Sequence, residues 1–474
     1  MKRFVCLMIM MMSISTVSAL ACTTVDLTGN WLGSIEVSSV KLRLVLKITG
    51  ARDHYIASLD SIDQGAKDLT IDLITQHGST VSFSSVKYRM SYEGVLNEAC
   101  DEISGNLKNP TGSLPLNLKR ILGEVSTRRS QDPVRPYPYE EYEVAYKNDE
   151  DNVKLAGTLT VPHGAGKYPA VLLITGSGSQ DRNETMVGHH PFLVLADYLT
   201  RRGIAVLRVD DRGVGGSDAG PPTANSADYV RDVLAGIRYL KKRPEIDPHH
   251  IGLLGHSEGG MIAPAAAVAS RDISFIIMLA GPGVPGDEVV LKQIALINKA
   301  SGEDPVKTAA ALDLQKSVFS IIMAEPDNGK ARVRIDGLLA SLSDAMSPSE
   351  RMAFAPIEQN FKAQTPVLLS PWYRYFLSYD PRATLKRVAI PVLALNGDND
   401  LQVEPKENLT SIAKALAIAH NKDVTVKSFP GLNHLFQTSA TGLPREYGDI
   451  EETIAPIVLE TIAAWITKRT MHSN

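Results

Sequence analysis

Apolar and polar residues alternate through the first quarter of the chain, and then the alternation stops. Val40-Lys41-Leu42-Arg43-Leu44-Val45-Leu46-Lys47-Ile48 and Leu69-Thr70-Ile71-Asp72-Leu73 keep a period of two, and Val81-Ser82-Phe83 and Leu114-Pro115-Leu116-Asn117-Leu118 repeat it. Gly50, Gly65, Gly78, Gly94 and Gly105 punctuate these runs. Successive side chains of a strand point to opposite faces, so the pattern predicts about eight half-buried antiparallel strands in a small barrel or sandwich. That domain is placed at 22–125. A stretch rich in proline and charge, Arg128 to Pro138, marks a linker, placed at 126–139.

Beyond the linker the apolar runs are continuous. Ala170 to Ile174, Ile204 to Val209, Ile251 to Leu254, Phe275 to Leu279, Pro391 to Leu395 and Val424 to Val426 read as strands buried on both faces. Helical patterns separate them, such as Tyr229, Val230, Val233, Leu234, Ile237 and Leu240 behind a capping Ser226. Strands alternating with helices predict an α/β fold with a mostly parallel sheet covered on both sides. From Pro285 to about Pro381 the alternation gives way to helical pattern alone, broken at Gly302, Pro326, Pro348 and Pro366. The expected layout is a core over 140–284 and 386–474, with a helical cap inserted at 285–385.

The amino terminus reads as an address. Met1-Lys2-Arg3 is basic, Phe4 to Met12 is apolar, and Ala19-Leu20-Ala21 suits signal-peptide cleavage, giving a secretory signal at 1–21. Its apolar run is too short to span a bilayer, and no later segment is long and apolar enough. The expected location is periplasmic or secreted. Acylation of Cys22 as a lipoprotein is the rival fate, but Ala19 stands where that signal prefers leucine. Cleavage would remove Cys6 and leave Cys22 and Cys100 to form a disulfide in an oxidising compartment. A net charge of −4 supplies no positive field for nucleic acid. Neither a metal nor a cofactor is expected, because no His, Cys or carboxylate cluster has ligand spacing. Nothing in the sequence fixes an oligomeric state.

The strongest chemical signal is Gly255-His256-Ser257-Glu258-Gly259, which follows the strand ending at Leu254 and opens a small-residue helix. A nucleophilic serine on a sharp strand-to-helix turn needs glycines on either side to avoid clashes. Gly215-Gly216-Ser217-Asp218-Ala219 resembles it, but no helix opens at Ser217 and prolines follow, so it reads as a loop. Serine needs a base, and the base an orienting carboxylate, in the chain order Ser, Asp, His. Asp398 and Asp400 compete for the acid. The spacing Gly397, Asp400, Val403 favours Asp400, with Asp398 shaping the turn. His434, on the loop after the strand at Val424, is the candidate base, and His256 its closest rival. Two backbone N–H groups should form an oxyanion hole, one from Glu258 and one from the loop Thr175 to Arg182, where Ser177 comes first and Gly178 second. That glycine-rich loop lacks the lysine and spacing of a nucleotide-binding loop.

These motifs, together with Asp210-Asp211-Arg212-Gly213-Val214-Gly215-Gly216-Ser217 and Gly431-Leu432-Asn433-His434, resemble the α/β-hydrolases of the secreted bacterial serine carboxylesterase kind. The resemblance covers residue 140 to the end. Residues 23–122 look like the lipocalin-like β-domain that precedes some such enzymes. It implies hydrolysis of short-chain acyl esters, small molecules, through an acyl-serine intermediate. Thr175 departs from the family, where many members carry histidine. Pro371 to Leu377 is the densest aromatic stretch. Trp372 and Phe376 would line the substrate pocket, or equally glue the cap to the core. A serine peptidase of the prolyl-oligopeptidase-like group is the alternative, although the N-terminal residues are too few for a propeller. A binding protein without catalysis would not need the full Ser, Asp and His set.

Overall fold

Nine antiparallel strands carry the alternating N-terminal pattern: β1 (Gly29–Val37), β2 (Val40–Ala51), β3 (His54–Ser61), β4 (Ala66–Ile71), β5 (Leu73–His77), β6 (Thr80–Ser85), β7 (Met90–Leu96), β8 (Glu102–Asn109) and β9 (Gly112–Ile121). They belong to a computed structural model that describes residues 26–470 apart from 38–39, 52–53, 65, 111 and 124–128. The signal segment and Cys22, and with it the Cys22–Cys100 pairing, lie outside the described residues.

The sheet order is β4-β3-β2-β1-β9-β8-β7-β6-β5, a barrel-like meander in which the first strand pairs with the last. The strands number one more than expected. Leu69 to Leu73 reads as one alternating run, but it breaks at Asp72. That residue donates its N–H to Ser84 O and accepts the Val86 N–H at 2.7 Å, which separates β4 from β5. Trp31 is fully buried, its indole N–H donating to Leu27 O at 2.9 Å, and the Arg120 guanidinium lies 4.4 Å above its ring.

A second compact unit takes in the chain from Ser126 onward. Its sheet has eight strands: β10 (Tyr139–Asn148), β11 (Val153–Pro162), β12 (Tyr168–Ile174), β13 (Ala205–Val209), β14 (Ile246–His256), β15 (Phe275–Leu279), β16 (Val392–Gly397) and β17 (Val424–Phe429). The order is β10-β11-β13-β12-β14-β15-β16-β17, parallel from β13 to β17. The antiparallel β10–β11 hairpin has no counterpart among the expected strands. The inward positions of β10 are Tyr142, Val144 and Tyr146 among glutamates, and so few aliphatics hide the alternation. Alternate residues of β12 serve opposite faces. Leu172 packs on one side with Ile237 of α2 (Ser226–Lys241) and Ile262 of α3 (Gly259–Ala269). Val171 and Leu173 pack on the other with Leu195 of α1 (Pro191–Thr200) and with Ile462.

Between β15 and β16 six helices form the cap: α4 (Gly286–Ala300), α5 (Pro305–Ala324), α6 (Asn328–Asp344), α7 (Pro348–Leu368), α8 (Pro371–Ser378) and α9 (Pro381–Leu385). It has a core of its own around Phe319, Ile322, Ile335 and Leu339. Asp304, Ser347, Ser370 and Asp380 each cap a helix whose first residue is proline, the position where a missing N–H costs least. Pro366 does not break the chain as expected. It lies inside α7 near its C-terminal end, as Pro356 lies nearer the middle, and the helix runs on to Leu368. Two further helices, α10 (Pro405–Ile418) and α11 (Pro456–Thr470), complete the layers. Within the stretch read as a linker, Arg129 is buried and donates to the carbonyls of Gly448, Val187 and Gly188. Gln131 Oε1 takes the N–H groups of Thr453 and Ile454.

Candidate active site

Strand β14 ends at His256 and α3 opens at Gly259, so Ser257 occupies the corner between them. Its φ is +52°, a left-handed conformation that costs a residue with a Cβ about 1 kcal/mol or more. The Ser257 N–H donates to Leu279 O at 2.8 Å, and its carbonyl accepts the Gly260 N–H at 2.9 Å, which holds the corner. A Cβ on Gly255 would lie 2.0 Å from Gly259 O, and one on Gly259 2.3 Å from Ile174 O. Only glycine fits either place.

Asp400 and His434 lie just beyond the carboxyl ends of β16 and β17. Both are buried, and Asp400 Oδ2 lies 2.8 Å from His434 Nδ1. The other oxygen, Oδ1, accepts the N–H groups of Gln402 and Val403 at 2.7 and 2.9 Å, which fixes the carboxylate. Asp398 is exposed. The turn that presents His434 is built by Asn433, whose Oδ1 accepts the N–H groups of Leu435 and Gln437 at 3.0 and 2.9 Å. Asn433 enters the sequence reading only within the Gly431 to His434 motif and without a role, although an Asn beside a candidate base is the kind of residue that shapes a turn.

The glycine-rich loop after β12 is clasped by the residues after β13. Thr175 Oγ1 donates to Asp211 Oδ1 at 2.8 Å, and the Gln180 N–H to Asp211 Oδ2 at 2.9 Å. Arg182 holds Asp210 through Nε, Nη2 and its backbone N–H, at 3.0, 2.7 and 2.9 Å. The two motifs read separately in the sequence are therefore one structure, and Thr175 has a role there of its own. Burial pushes Asp211 up to about 8 against the bonds from Gln180 and Thr175, and the charges of Glu184 and Glu258 add to the rise. Ser217 is buried in this clasp, donating to Asp210 O at 2.8 Å and accepting the Ala156 N–H at 2.9 Å, as a loop residue should. Ser177 and Gly178 stand exposed on the glycine-rich loop. The N–H of Gly176 is taken by Glu184 Oε1 at 2.7 Å, and a Cβ on Gly176 would come within 3.3 Å of Ser257 Cβ. The loop thus passes directly beside the serine.

Glu258 is buried, and burial raises its pKa against hydrogen bonds from Ser226 and Trp372. Ser226 does not cap α2 as expected. Asn225 does, and the Ser226 hydroxyl donates instead to Glu258 Oε1 at 2.6 Å. Trp372 Nε1 donates to the same carboxylate at 2.9 and 3.1 Å. The indole stacks on Phe376 at 6.1 Å, and a Cβ on Gly286 would lie 3.1 Å from Phe376 Cδ1. Trp372 thus ties the cap to the core beside the Ser257 corner, whereas the Phe376 contacts lie within the cap. Among the described residues no group of three His, Cys, Asp or Glu side chains is placed to hold a metal ion, and no helix is long and apolar enough to cross a membrane.

A mostly parallel sheet in this order, with a strained serine at a strand-to-helix corner and a bonded Asp and His beyond two later strands, defines an alpha/beta hydrolase. The sequence model of the alpha/beta hydrolase family matches residues 133–443, and the chain belongs to that family. Esterase EstD of Thermotoga maritima is 27% identical over 345 residues, 71% of this chain and 70% of its own. YuxL of Bacillus subtilis, described as an uncharacterized peptidase, is 32% identical over 152 residues, 28% of this chain and 22% of its own. Among solved structures, the Pyrococcus furiosus esterase Pf2001 aligns over 74% of this chain and 97% of that one, with a TM-score of 0.41 at 16% identity.

Proposed function

We propose that this alpha/beta hydrolase is a serine carboxylesterase acting on short-chain acyl esters. The observation that carries the reading is the Asp400–His434 hydrogen bond, just beyond two strands of the sheet whose strand β14 leads into the strained Ser257. In the proposed mechanism Ser257 Oγ attacks the ester carbonyl carbon while His434 Nε2 takes its proton. Asp400 keeps the other ring proton on Nδ1 and steadies the imidazolium. The carbonyl oxygen, now negative, is held by the N–H groups of Glu258 and Ser177. Collapse breaks the bond to the alcohol, which leaves with the proton from His434. A water activated by the same histidine then cleaves the acyl-serine and releases the acid.

Esters with acyl chains of increasing length, run beside aminoacyl and prolyl amides, test the reading. Turnover should be highest on short acyl esters and absent in Ser257→Ala. Preference for the amides would instead establish the peptidase reading, which the YuxL match supports. Export through the signal at 1–21 and a Cys22–Cys100 bridge belong to the same proposal. Mass spectrometry of the mature protein without reduction should find a chain beginning at Cys22 and no alkylated cysteine.

A further inference from the structure

One buried pair beside the site has no part in the mechanism above. His256 and Glu184 are 5% and 1% exposed, and they lie 72 positions apart in the chain. His256 Nδ1 is 2.9 Å from Glu184 Oε1, and His256 Nε2 is 3.1 Å from the carbonyl oxygen of His434. A carbonyl only accepts, so Nε2 carries a proton. Nδ1 faces the Glu184 oxygen that also receives the Gly176 N–H, and ring and carboxyl share a proton there. Ring and carboxyl thus form one buried hydrogen-bonded pair. Burial works to lower the His256 pKa, but the charge and hydrogen bond of Glu184, the His434 carbonyl and the charge of Asp400 together hold it above the ordinary value. Glu184 is placed at some cost, since its φ is +52°.

We propose that Glu184 and His256 are positioning residues that fix the main chain of His434 and, through Gly176, set the oxyanion loop against it. The proposal rests on the reading of His434 as the base. That residue is then held at three points: its ring by Asp400, the N–H that follows it by Asn433, and its carbonyl by His256. Glu184 bonds both the ring that supports the base loop and the first glycine of the oxyanion loop. The two halves of the catalytic apparatus thus share one carboxylate.

Kinetics of the full chain on p-nitrophenyl acetate test this with four variants and a control. His256→Phe keeps the aromatic bulk and removes both donors. It should lower kcat by roughly 10- to 100-fold with KM little changed, as expected when a catalytic group is slightly misplaced. His256→Gln puts an amide donor near the place of Nε2 and should recover most of that loss. Simple packing predicts the reverse order, with Phe better than Gln. Glu184→Gln keeps an acceptor and loses the charge, for a loss of several-fold in kcat. The double variant Glu184→Gln with His256→Phe should be no slower than His256→Phe alone, because the amide oxygen still accepts the Gly176 N–H and the rest of the Glu184 effect runs through His256. Full kcat in His256→Phe, a Gln variant slower than Phe, or losses that multiply in the double variant would overturn the proposal. Should His256→Phe fail to fold, Glu184→Gln decides, and wild-type kcat there overturns it. Ser257→Ala is the control. Activity surviving in it would sink the esterase reading itself, whereas an inactive Ser257→Ala beside a fully active His256→Phe sinks only the positioning pair.

Discussion

Asp398 and Asp400 stand two positions apart in one turn, and their surroundings separate them. Asp400 is buried, with one oxygen held by two backbone N–H groups and the other on His434, while Asp398 faces solvent. Asp400→Asn should therefore cut kcat by about 10⁴-fold, the scale seen when an orienting acid is neutralised, and Asp398→Asn should leave it within a few-fold. The two rates on a chromogenic ester decide the assignment, and a crippled Asp398→Asn would reverse it. The spacing of Gly397, Asp400 and Val403 favoured Asp400, the residue that the fold bonds to His434. The support behind that bond was not legible in the sequence. Asn433, Glu184 and Ser226 act through partners that chain order does not reveal, and Ser226 carries a sequence signal, a serine ahead of a helix, that points to a cap instead. Asn433→Ala removes the acceptor for two buried N–H groups. It should lower the thermal midpoint and kcat together, which melting curves and rates on the same preparation would check.

Among the elements, the parallel strands were legible because they are apolar on both faces, and the cap because helical pattern alone fills the stretch between two core strands. The β10–β11 hairpin was hidden for the opposite reason, tyrosine and glutamate standing where aliphatic residues would have shown a period of two. Helix α8 illustrates what pattern alone leaves open. Its aromatics suit a pocket wall or a glued cap equally, and only the Trp372 bond to Glu258 shows the second role in place. Trp372→Phe keeps the ring and loses the donor, leaving the buried carboxyl with Ser226 alone. A loss of about 1–3 kcal/mol in stability is expected, read by thermal or denaturant unfolding. Running the variant on the acyl-length series asks the other question. An altered length profile would make Trp372 a pocket residue too, and an unchanged profile would confine it to the seam.

At the scale of the whole molecule, burial of carboxyls near the site ties stability to pH. Asp211 is raised from 3.8 to about 8, and Glu258 is raised above 4.5. A carboxyl raised on folding binds its proton more tightly in the native state, so its contribution is complete below the unfolded value and fades as pH rises through the folded one. Stability from these two groups should therefore fall from mildly acidic conditions towards about pH 8. Asp211→Asn and Glu258→Gln keep an acceptor oxygen and cannot ionise. Their thermal midpoints should gain on the wild type as pH rises over that range. Variants that fall further behind with rising pH would show that the ionised groups stabilise the fold. The division of the chain into an alternating first part and an α/β second part was plain from periodicity, whereas its electrostatics depend on which carboxyls the fold happens to enclose.

Glu258 serves two masters. In the proposed mechanism its backbone N–H faces the developing oxyanion, while its side chain grips the cap through Trp372. Anyone redesigning this hydrolase for bulkier substrates inherits that joint. A cap borrowed from another hydrolase, or a library randomised only along α8, would leave an acidic group stranded beside the nucleophile wherever it failed to supply a donor. Its poor members would then fail in turnover as well as in selectivity. Positions 258 and 372 should accordingly be varied as a pair, so that a change of substrate range is not mistaken for a loss of catalytic power.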